Sequence, residues 1–393
     1  MVHTRKIISI LLIVTLFTGC IGLSVNAADN LLLPDYTMSK TEWNEYWKTV
    51  EGDNTQIALT PGADATELNF NWHSERKASV PMVKIADNEK MENAKLFLGY
   101  STLADNDQQT NRVTVTGLEE NTKYYYSYSL GKDNWSEPTF YITHATDSFK
   151  ALLVGDIQCS AVDDGTGYKD ATNWNTTLNT ALKKYPDTSF IISCGDQTQT
   201  GASATEWAAT LSPKAMRNLP MATTIGNHDH KGSTYQHYVN NPNSQLVSTS
   251  KTGTPYWFRY GDVLFVVFNT TNVNVFESHA LAERAILANP DAKWRVAVFH
   301  HDIYGTGHHA IDNDNYMLQG VYSAIMDKFE FDLAFDGHEH YYGRSYNMLN
   351  NEKVDLDYSS KKATDPDGTL YITTASASGK NRVYDEPYHH SWI

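Results

Sequence analysis

Histidine, carboxylate and amide side chains cluster in the second half of this chain. Ten of its fifteen histidines lie between His228 and His340. The densest group is Gly226-Asn227-His228-Asp229-His230, a tight turn that follows the apolar run at 221–225. Oxygen ligands from Asp and Asn, combined with imidazole nitrogens, favour Zn, Fe or Mn over Ca or Cu. The residue types therefore indicate metal chemistry, provided that partners reach this turn from other parts of the chain.

Further candidate ligands each follow an apolar run that has the pattern of a buried strand. Together with the turn they are Asp156, Asp196, Asn227, His300, His338 and His340. Ligands in α/β folds bind at the carboxyl ends of strands, so these side chains are expected to meet. Two adjacent cations repel, and Asp196 is the candidate carboxylate to bridge them. A two-metal centre activates water as hydroxide and clamps phosphoryl oxygens, which favours a phosphate ester as substrate.

The pattern around these ligands is that of an α/β layered domain from residue 148 onwards. Continuous apolar runs alternate with amphipathic segments. The predicted strands are 151–154, 190–192, 221–225, 256–260, 263–268, 295–299, 333–335 and 370–374. The predicted helices are 174–185, 204–211, 278–288 and 316–328. In such a domain, the polar loops that follow the strands lie at the same edge of the sheet.

Residues 53–146 have a different pattern, with short alternating strands separated by turn residues. The spacing predicts a β-sandwich of the fibronectin or immunoglobulin type. Tyr124, Tyr126 and Tyr128 alternate along one strand, which favours a sandwich core and its rim over a carbohydrate-binding surface. Before the sandwich, Ser39 is placed to cap a helix that ends near Val50.

Length and charge limit the function further. A chain of 393 residues has room for two domains, and its net charge of −15 lacks the basic stripe of a nucleic-acid binder. Residues 1–28 resemble an export signal, with Arg5 and Lys6 before an apolar run too short to span a bilayer. The alternative is a lipid anchor on Cys20. No later run reaches transmembrane length.

Cys159 and Cys194 would remain after removal of the signal. In an exported protein, two cysteines either form a disulfide or stay as two thiols, and the sequence leaves both possibilities open. The number of subunits is equally undetermined by the sequence.

The ordered motifs resemble those of the calcineurin-like metallophosphoesterases. They are Gly155-Asp156, Gly195-Asp196, Gly226-Asn227-His228-Asp229, Val298-Phe299-His300 and Gly337-His338-Glu339-His340. The preceding sandwich and the stretch 338–345 are similar to those of purple acid phosphatases and their bacterial relatives. The resemblance implies a four-layer αββα domain over 148–393. Because the family usually continues beyond Ser376 with closing strands, it also favours a domain truncated at its C-terminus.

The same resemblance implies a role for each residue. One metal would be held by Asp156, Asp196 and His340, and the other by Asp196, Asn227, His300 and His338. His228 would face the substrate phosphate. His309, with His308 as a second candidate, would protonate the leaving group, the general-acid step that a departing alkoxide requires. Asp229 is expected to orient a neighbouring imidazole.

Two positions depart from the pattern of the family. Gln199 stands where purple acid phosphatases have the tyrosine that gives iron its colour, so we expect no purple chromophore. Gln158 stands where many metallophosphoesterases have a metal-binding histidine, and its amide oxygen either binds the metal or hydrogen-bonds to bound water. Fe, Zn or Mn fit the remaining ligands.

Other polar residues near the motifs have less specific expectations. His301 is expected to point away from His300, and His230 to lie on the surface. Asp302, Asp312 and Asp314 form a calcium site or, the favoured interpretation, a solvated loop. Tyr235, Tyr304 and Tyr341 are candidates to shape the substrate pocket.

The function predicted from these features is an exported phosphatase that acts on small phosphate monoesters with two metal ions and a histidine general acid. The alternative on the same ligands is a phosphodiesterase or nucleotidase, because motifs do not fix the ester. A non-catalytic adhesin is disfavoured, since every core ligand is present.

Overall fold

The computed structural model describes residues 31–76, 79–105, 107–131, 133–162, 165–244, 248–307, 309, 312–360, 362–379 and 392. The predicted export signal, the candidate anchor Cys20 and the candidate general acid His308 lie outside these residues. Among the helices of the described residues, none combines the length and the apolar character needed to cross a bilayer.

Helix α1 (Lys40–Val50) confirms the helix predicted before the sandwich. Ser39 caps it: the Ser39 hydroxyl accepts from the amide of Glu42, and the Glu42 carboxylate accepts from the amide of Ser39. Its buried face, with Trp43 and Trp47, belongs to the core of the second half of the chain. The indole N–H of Trp43 donates to the Thr172 hydroxyl at 2.8 Å. The helix therefore covers the α/β domain.

The first half forms two facing antiparallel sheets. Their strands are β1 (Ala58–Pro61), β2 (Leu68–Glu75), β3 (Met82–Ala86), β4 (Lys95–Leu98), β5 (Tyr100–Leu103), β6 (Gln108–Val115), β7 (Lys123–Gly131), β8 (Asn134–Trp135) and β9 (Thr139–Ile142). One sheet has the order β1-β2-β6-β5, and the other has the order β4-β3-β7-β8 with β9 beside β7. The predicted β-sandwich is therefore present in the described residues.

The tyrosine stripe lies in the core and rim of the sandwich, as predicted. Tyr126 is fully buried between the sheets, and Tyr124 and Tyr128 pack around it. The sequence did not predict the edge strands β4 and β5, because their exposed leucines and Tyr100 do not alternate with buried residues.

The second half contains two more sheets and four more α-helices among the described residues. The helices are α2 (Tyr168–Lys184), α3 (Ala204–Thr210), α4 (Val275–Ala288) and α5 (Asn313–Lys328). The strands are β10 (Lys150–Val154), β11 (Thr188–Ser193), β12 (Met221–Thr223), β13 (Tyr256–Tyr260), β14 (Val263–Val267), β15 (Trp294–Val298), β16 (Leu333–His340), β17 (Gly343–Leu349), β18 (Glu352–Lys353) and β19 (Thr369–Ala375).

The two sheets pack face to face between helices. The parallel order β10-β11-β12 forms one sheet, and β13-β14-β15-β16-β19-β17-β18 forms the other. Alternate residues of β11 divide between two cores: Phe190 and Ile192 face the second sheet, while Ile191 packs under α2 and α3. Leu264 and Val266 of β14 pack under α4 and α5. This division produces the αββα layers expected from the resemblance.

Candidate metal centre

The predicted ligands come from both sheets. Asp156, Asp196 and Asn227 follow β10, β11 and β12 of the smaller sheet. His300 follows β15 of the larger sheet, and His338 and His340 lie at the end of β16. Because the two sheets stack with these strand ends at the same edge, the six side chains converge between the layers. The structure therefore brings together the complete set of predicted core ligands.

The distances within this set are those of a ligand cage. Asp156, Asp196 and His300 each offer a ligand atom, and these atoms all lie within 4.8 Å of one another. The His340 Nε2 atom lies 3.6 Å from Asp156 Oδ1, and His300 Nε2 lies 3.5 Å from Asp196 Oδ2. His338 Nδ1 lies 3.2 Å from His300 Nε2. These separations suit ligands that share a cation or occupy adjacent cations.

The contacts of His300 are compatible with a bound cation. Its Nδ1 atom lies 2.8 Å from the carbonyl oxygen of Cys194, which can only accept, so Nδ1 carries the proton. Burial lowers the pKa of His300 to about 3, and the ring is neutral. Its Nε2 lone pair therefore faces Asn227 Oδ1 at 2.8 Å. Lone pairs that converge without protons are stabilised by a metal ion, which neutral imidazole binds.

The backbone at these ligands is held in an unfavourable conformation. Asp156, Asp196, His338 and His340 have φ angles of 51°, 52°, 72° and 63°, in the left-handed region that residues other than glycine rarely occupy. Such residues cost on the order of 1–3 kcal/mol each and cluster at functional sites. Surrounding hydrogen bonds oppose this cost: the amide of His338 donates to both carboxylate oxygens of Asp156, at 3.0 and 3.1 Å.

Asp229 does not orient an imidazole, contrary to the expectation. Its buried carboxylate accepts from the amides of Gln197, Thr198 and Gly226 at 3.0–3.3 Å. It also accepts from the Gln197 side-chain amide at 2.8 Å. Burial, and then the nearby Asp196 carboxylate, raise the pKa of Asp229 to about 8. The carboxylate thus ties the loop after Asp196 to the turn that carries Asn227.

His228 lies at the rim of the ligand set. Its amide donates to Asp196 Oδ1 at 2.8 Å, and its Nδ1 lies 2.7 Å from the carbonyl oxygen of Gln199. The exposed ammonium of Lys231 lies 3.0 Å from the same ring nitrogen. The ring is therefore fixed through Nδ1.

His309 lies on the other side of the ligand set, with its ring centroid 4.6 Å from that of His338. Its Nδ1 atom is 2.8 Å from the Asp312 carboxylate. The Asp312 side chain is partly exposed to solvent, and it forms an ion pair with His309 when that ring is protonated. Asp314 is exposed, as expected.

Two further expectations around His300 are corrected. His301 does not point away: β15 ends at Val298, and the His301 ring packs against His300 and His338 at centroid distances of 5.2 and 4.7 Å. The Thr270 hydroxyl lies 2.8 Å from His301 Nδ1. Asp302 is fully buried instead of solvated, and burial together with Glu339 raises its pKa well above the usual range. The local sequence contains no pattern that predicts the orientation of His301 or the burial of Asp302.

The remaining candidates lie at the edge of the site or behind it. His230 is exposed, as expected, and its Nδ1 is 3.1 Å from the Thr271 hydroxyl. Tyr235 and Tyr304 are core residues instead of pocket residues, with 1% and 2% of their surface exposed. Tyr341 is half-buried.

Gln158 and Gln199, the two glutamines that depart from the family pattern, follow Asp156 and Asp196 closely in the sequence. Gln158 is fully buried, and its backbone N–H donates to the carbonyl of Asp196 at 2.7 Å. Gln199 Oε1 is buried without a hydrogen-bond donor among the described residues. Cys159 and Cys194 are both buried and do not form a disulfide with each other.

Two family models match consecutive parts of the chain. Residues 149–342 match the model of the Calcineurin-like phosphoesterase family, and residues 54–143 match that of the Purple acid Phosphatase, N-terminal domain. These two matches confirm the resemblance and the fold class, and they support assignment to the phosphoric ester hydrolases. No curated protein matches the chain by sequence.

One solved structure shares the fold, and a second is a weaker match. A purple acid phosphatase from seeds of yellow lupin (Lupinus luteus) is 16% identical with a TM-score of 0.67, over 86% of this chain and 66% of that one. The chain thus spans just under two thirds of the lupin protein. GAP50, the anchor in the inner membrane complex of Plasmodium, is 15% identical with a TM-score of 0.37, over 58% of this chain and 72% of that one.

Proposed function

We propose that this chain, a calcineurin-like phosphoesterase with the N-terminal domain of the purple acid phosphatases, hydrolyses small phosphate monoesters with two bound metal ions. The observation that supports the proposal is the convergence of unprotonated ligand atoms from both sheets. Asp156, Asp196 and His300 meet within 4.8 Å, and the neutral His300 offers its lone pair to that point.

The ligands divide between two ions in this proposal. Asp156 and His340 would hold one ion, Asn227, His300 and His338 would hold the other, and Asp196 would contribute to both. Fe, Zn or Mn suit this mixture of carboxylate, amide and imidazole. When bound, the ions supply an activated water and neutralise the charge of the phosphoryl oxygens. Gln158 is proposed as a further ligand through its amide oxygen, at the edge of the first ion.

The protein's own groups carry the other parts of the reaction. His228 faces the phosphate with Nε2, because its Nδ1–H donates to the carbonyl of Gln199 at 2.7 Å, and a second proton on Nε2 would let the ring donate to a phosphoryl oxygen. His309 donates the proton to the leaving oxygen, also from Nε2, because the Asp312 carboxylate holds its Nδ1 at 2.8 Å. This carboxylate stabilises the protonated ring, as a general acid requires. His308 is the second candidate for this role.

Hydrolysis of an aryl phosphate and of a bis-aryl phosphate, each with and without a chelator, tests the proposal. We expect chelator-sensitive release from the monoester. Faster turnover of the diester would favour the phosphodiesterase alternative, and no chelator-sensitive release from either would reject both enzymatic functions.

The bridging role of Asp196 is tested separately. The variant Asp196→Ala should lose bound metal and activity together, because its carboxylate is shared by both ions. Retention of both metals by this variant would refute the bridge. Metal analysis of the purified protein identifies the ions.

Export is part of the proposal, with residues 1–28 as the signal, 53–146 as the fibronectin-like sandwich and 148–393 as the catalytic domain. A negatively charged chain has no general attraction for phosphate esters, so the cations provide it locally. N-terminal analysis of protein recovered outside the cell tests cleavage after Ala27 or Ala28. Retention of a lipid on Cys20 would support the anchored alternative.

A further inference from the structure

The loop between Asp196 and α3 fixes the orientation of His228. His228 Nδ1 lies 2.7 Å from the carbonyl oxygen of Gln199. A carbonyl can only accept, so this contact requires a proton on Nδ1 and leaves Nε2 as the atom that meets a ligand. The orientation of the ring therefore depends on how firmly the Gln199 peptide is held.

Glu206 holds that peptide. Its carboxylate is almost fully buried, with 6% of the residue exposed, and accepts from the amides of Gln199 and Thr200, both at 2.8 Å. The Thr200 hydroxyl donates to the second oxygen at 2.9 Å. Glu206 is itself fixed in the first turn of α3, where its amide donates to the Ser203 hydroxyl at 3.2 Å. Hydrogen bonds to a buried charged acceptor are stronger than those between neutral groups.

A second contact of His228 Nδ1, with the Lys231 ammonium, would require this nitrogen to be unprotonated. The Lys231 ammonium lies 3.0 Å from His228 Nδ1 and can only donate, so it would require an unprotonated Nδ1. Lys231 is exposed and its side chain is flexible, whereas the Gln199 carbonyl belongs to a peptide clamped by a buried carboxylate. An exposed contact of this kind contributes little. The carbonyl therefore decides the tautomer while Glu206 is in place.

We propose that Glu206 is a positioning residue for His228: its carboxylate clamps the Gln199 peptide, whose carbonyl accepts from Nδ1 and orients the ring so that Nε2 faces the substrate phosphate. The proposal rests on the role given to His228 in the proposed function. Glu206 touches neither substrate nor metal ligands. The amides next to Asp196, those of Gln197 and Thr198, are held by Asp229 instead. Loss of Glu206 should therefore spare the metals.

The variant Glu206→Gln tests the clamp with little change in shape. A glutamine has one acceptor oxygen instead of two and no charge, so its hydrogen bonds to the Gln199 and Thr200 amides are weaker and the Gln199 peptide is held less firmly. We expect kcat/KM for an aryl phosphate to fall by about 10- to 100-fold, the usual range for residues that orient a functional group, with metal content unchanged. Glu277→Gln is the matched control, because Glu277 is also buried in the first turn of a helix with an Asn274 cap.

Two measurements separate positioning from general support of the fold. In a double-mutant cycle, Glu206→Gln should have little further effect when combined with His228→Asn, because both changes remove the same interaction. An undiminished effect in that background would overturn the proposal, as would loss of metal from Glu206→Gln alone. The Glu277→Gln variant should retain full activity.

Nitrogen NMR of histidine-labelled protein provides a readout that does not depend on turnover. The His228 signal, identified by its absence in His228→Asn, should report a proton on Nδ1 in the parent and in Glu277→Gln. Glu206→Gln should shift it toward the Nε2-protonated form. If the parent has no phosphatase activity, the proposed function fails while this signal still tests the clamp. An unchanged His228 signal in Glu206→Gln would refute it.

Discussion

The substitution Gly226→Ala should remove the metal centre while leaving the fold intact. Gly226 precedes the ligand Asn227 and packs directly against the proposed bridging ligand. A Cβ atom at this position would lie 2.0 Å from Asp196 Oδ1 and 2.3 Å from the Asp196 amide nitrogen. Gly226 does not have a positive φ angle, so the consequence arises from this contact and not from backbone strain.

The size of the effect follows from these distances. Non-bonded heavy atoms pack at about 3.5–4.0 Å, so the Asp196 carboxylate or the Asn227 turn must move by more than about 1 Å. A displacement of about 1 Å in a catalytic group is enough to lower the rate about 100-fold. Overpacking of this kind costs about 1–3 kcal/mol of stability, which a domain with several cores tolerates. We therefore expect a folded protein with weakened metal binding.

Metal content per chain, thermal unfolding and hydrolysis of an aryl phosphate measure the three consequences. Gly320→Ala is the control: Gly320 lies in α5 with no atom within 4 Å of the added Cβ, and alanine there should stabilise the helix by up to about 1 kcal/mol. The control should keep its metals and its activity. A Gly226→Ala protein with a full complement of metal and the parent's rate would refute the assignment of this turn as part of the metal centre.

Three more predictions concern other parts of the molecule. Burial lowers the pKa of His73 from 6.5 to about 4, so its neutral ring contributes stability above pH 6.5 that is lost as the pH falls toward 4. The loss amounts to about 3 kcal/mol, and His73→Asn should flatten the pH dependence of Tm in that window, whereas an unchanged profile would contradict the assignment. Asp312→Asn should slow alkyl phosphates more than aryl phosphates with metal retained, because His309 loses its charged partner; equal slowing would contradict its role as general acid. Iron-loaded protein should lack a visible tyrosinate-to-iron absorption band, because Gln199 replaces the tyrosine, and the appearance of that band would refute this prediction.

Local sequence patterns determined the elements and the types of ligand. Continuous apolar runs predicted the strands β10, β11 and β15, of which β11 is buried along its whole length. The alternation of apolar and polar residues in the first half predicted the strands of the β-sandwich. The candidate ligands were recognisable because each follows such a run, and the turn at Asn227 was recognisable by its glycine. The exposed edge strands β4 and β5 had no such pattern.

The roles of the neighbouring polar residues depended on contacts that the local sequence does not contain. Asp229, three residues from Gly226, binds the loop after Asp196. Asp302 is buried although it lies in a polar stretch. In each case a carboxylate that could equally face water is placed by packing of another segment against it.

The sequence by itself determined that carboxylate, amide and imidazole groups stand at the ends of buried strands, since period and residue type are local properties. Only the tertiary structure decided which ring nitrogen of each histidine carries the proton and which groups each carboxylate binds. The tautomer of His300 is set by the carbonyl of Cys194, 106 residues away, and Asp156 is held by the amide of His338, 182 residues away. The left-handed conformations of the ligands likewise persist because these contacts oppose their cost. Hydrogen bonds between distant segments, which form only when the two sheets stack, turn a set of suitable residues into a metal centre.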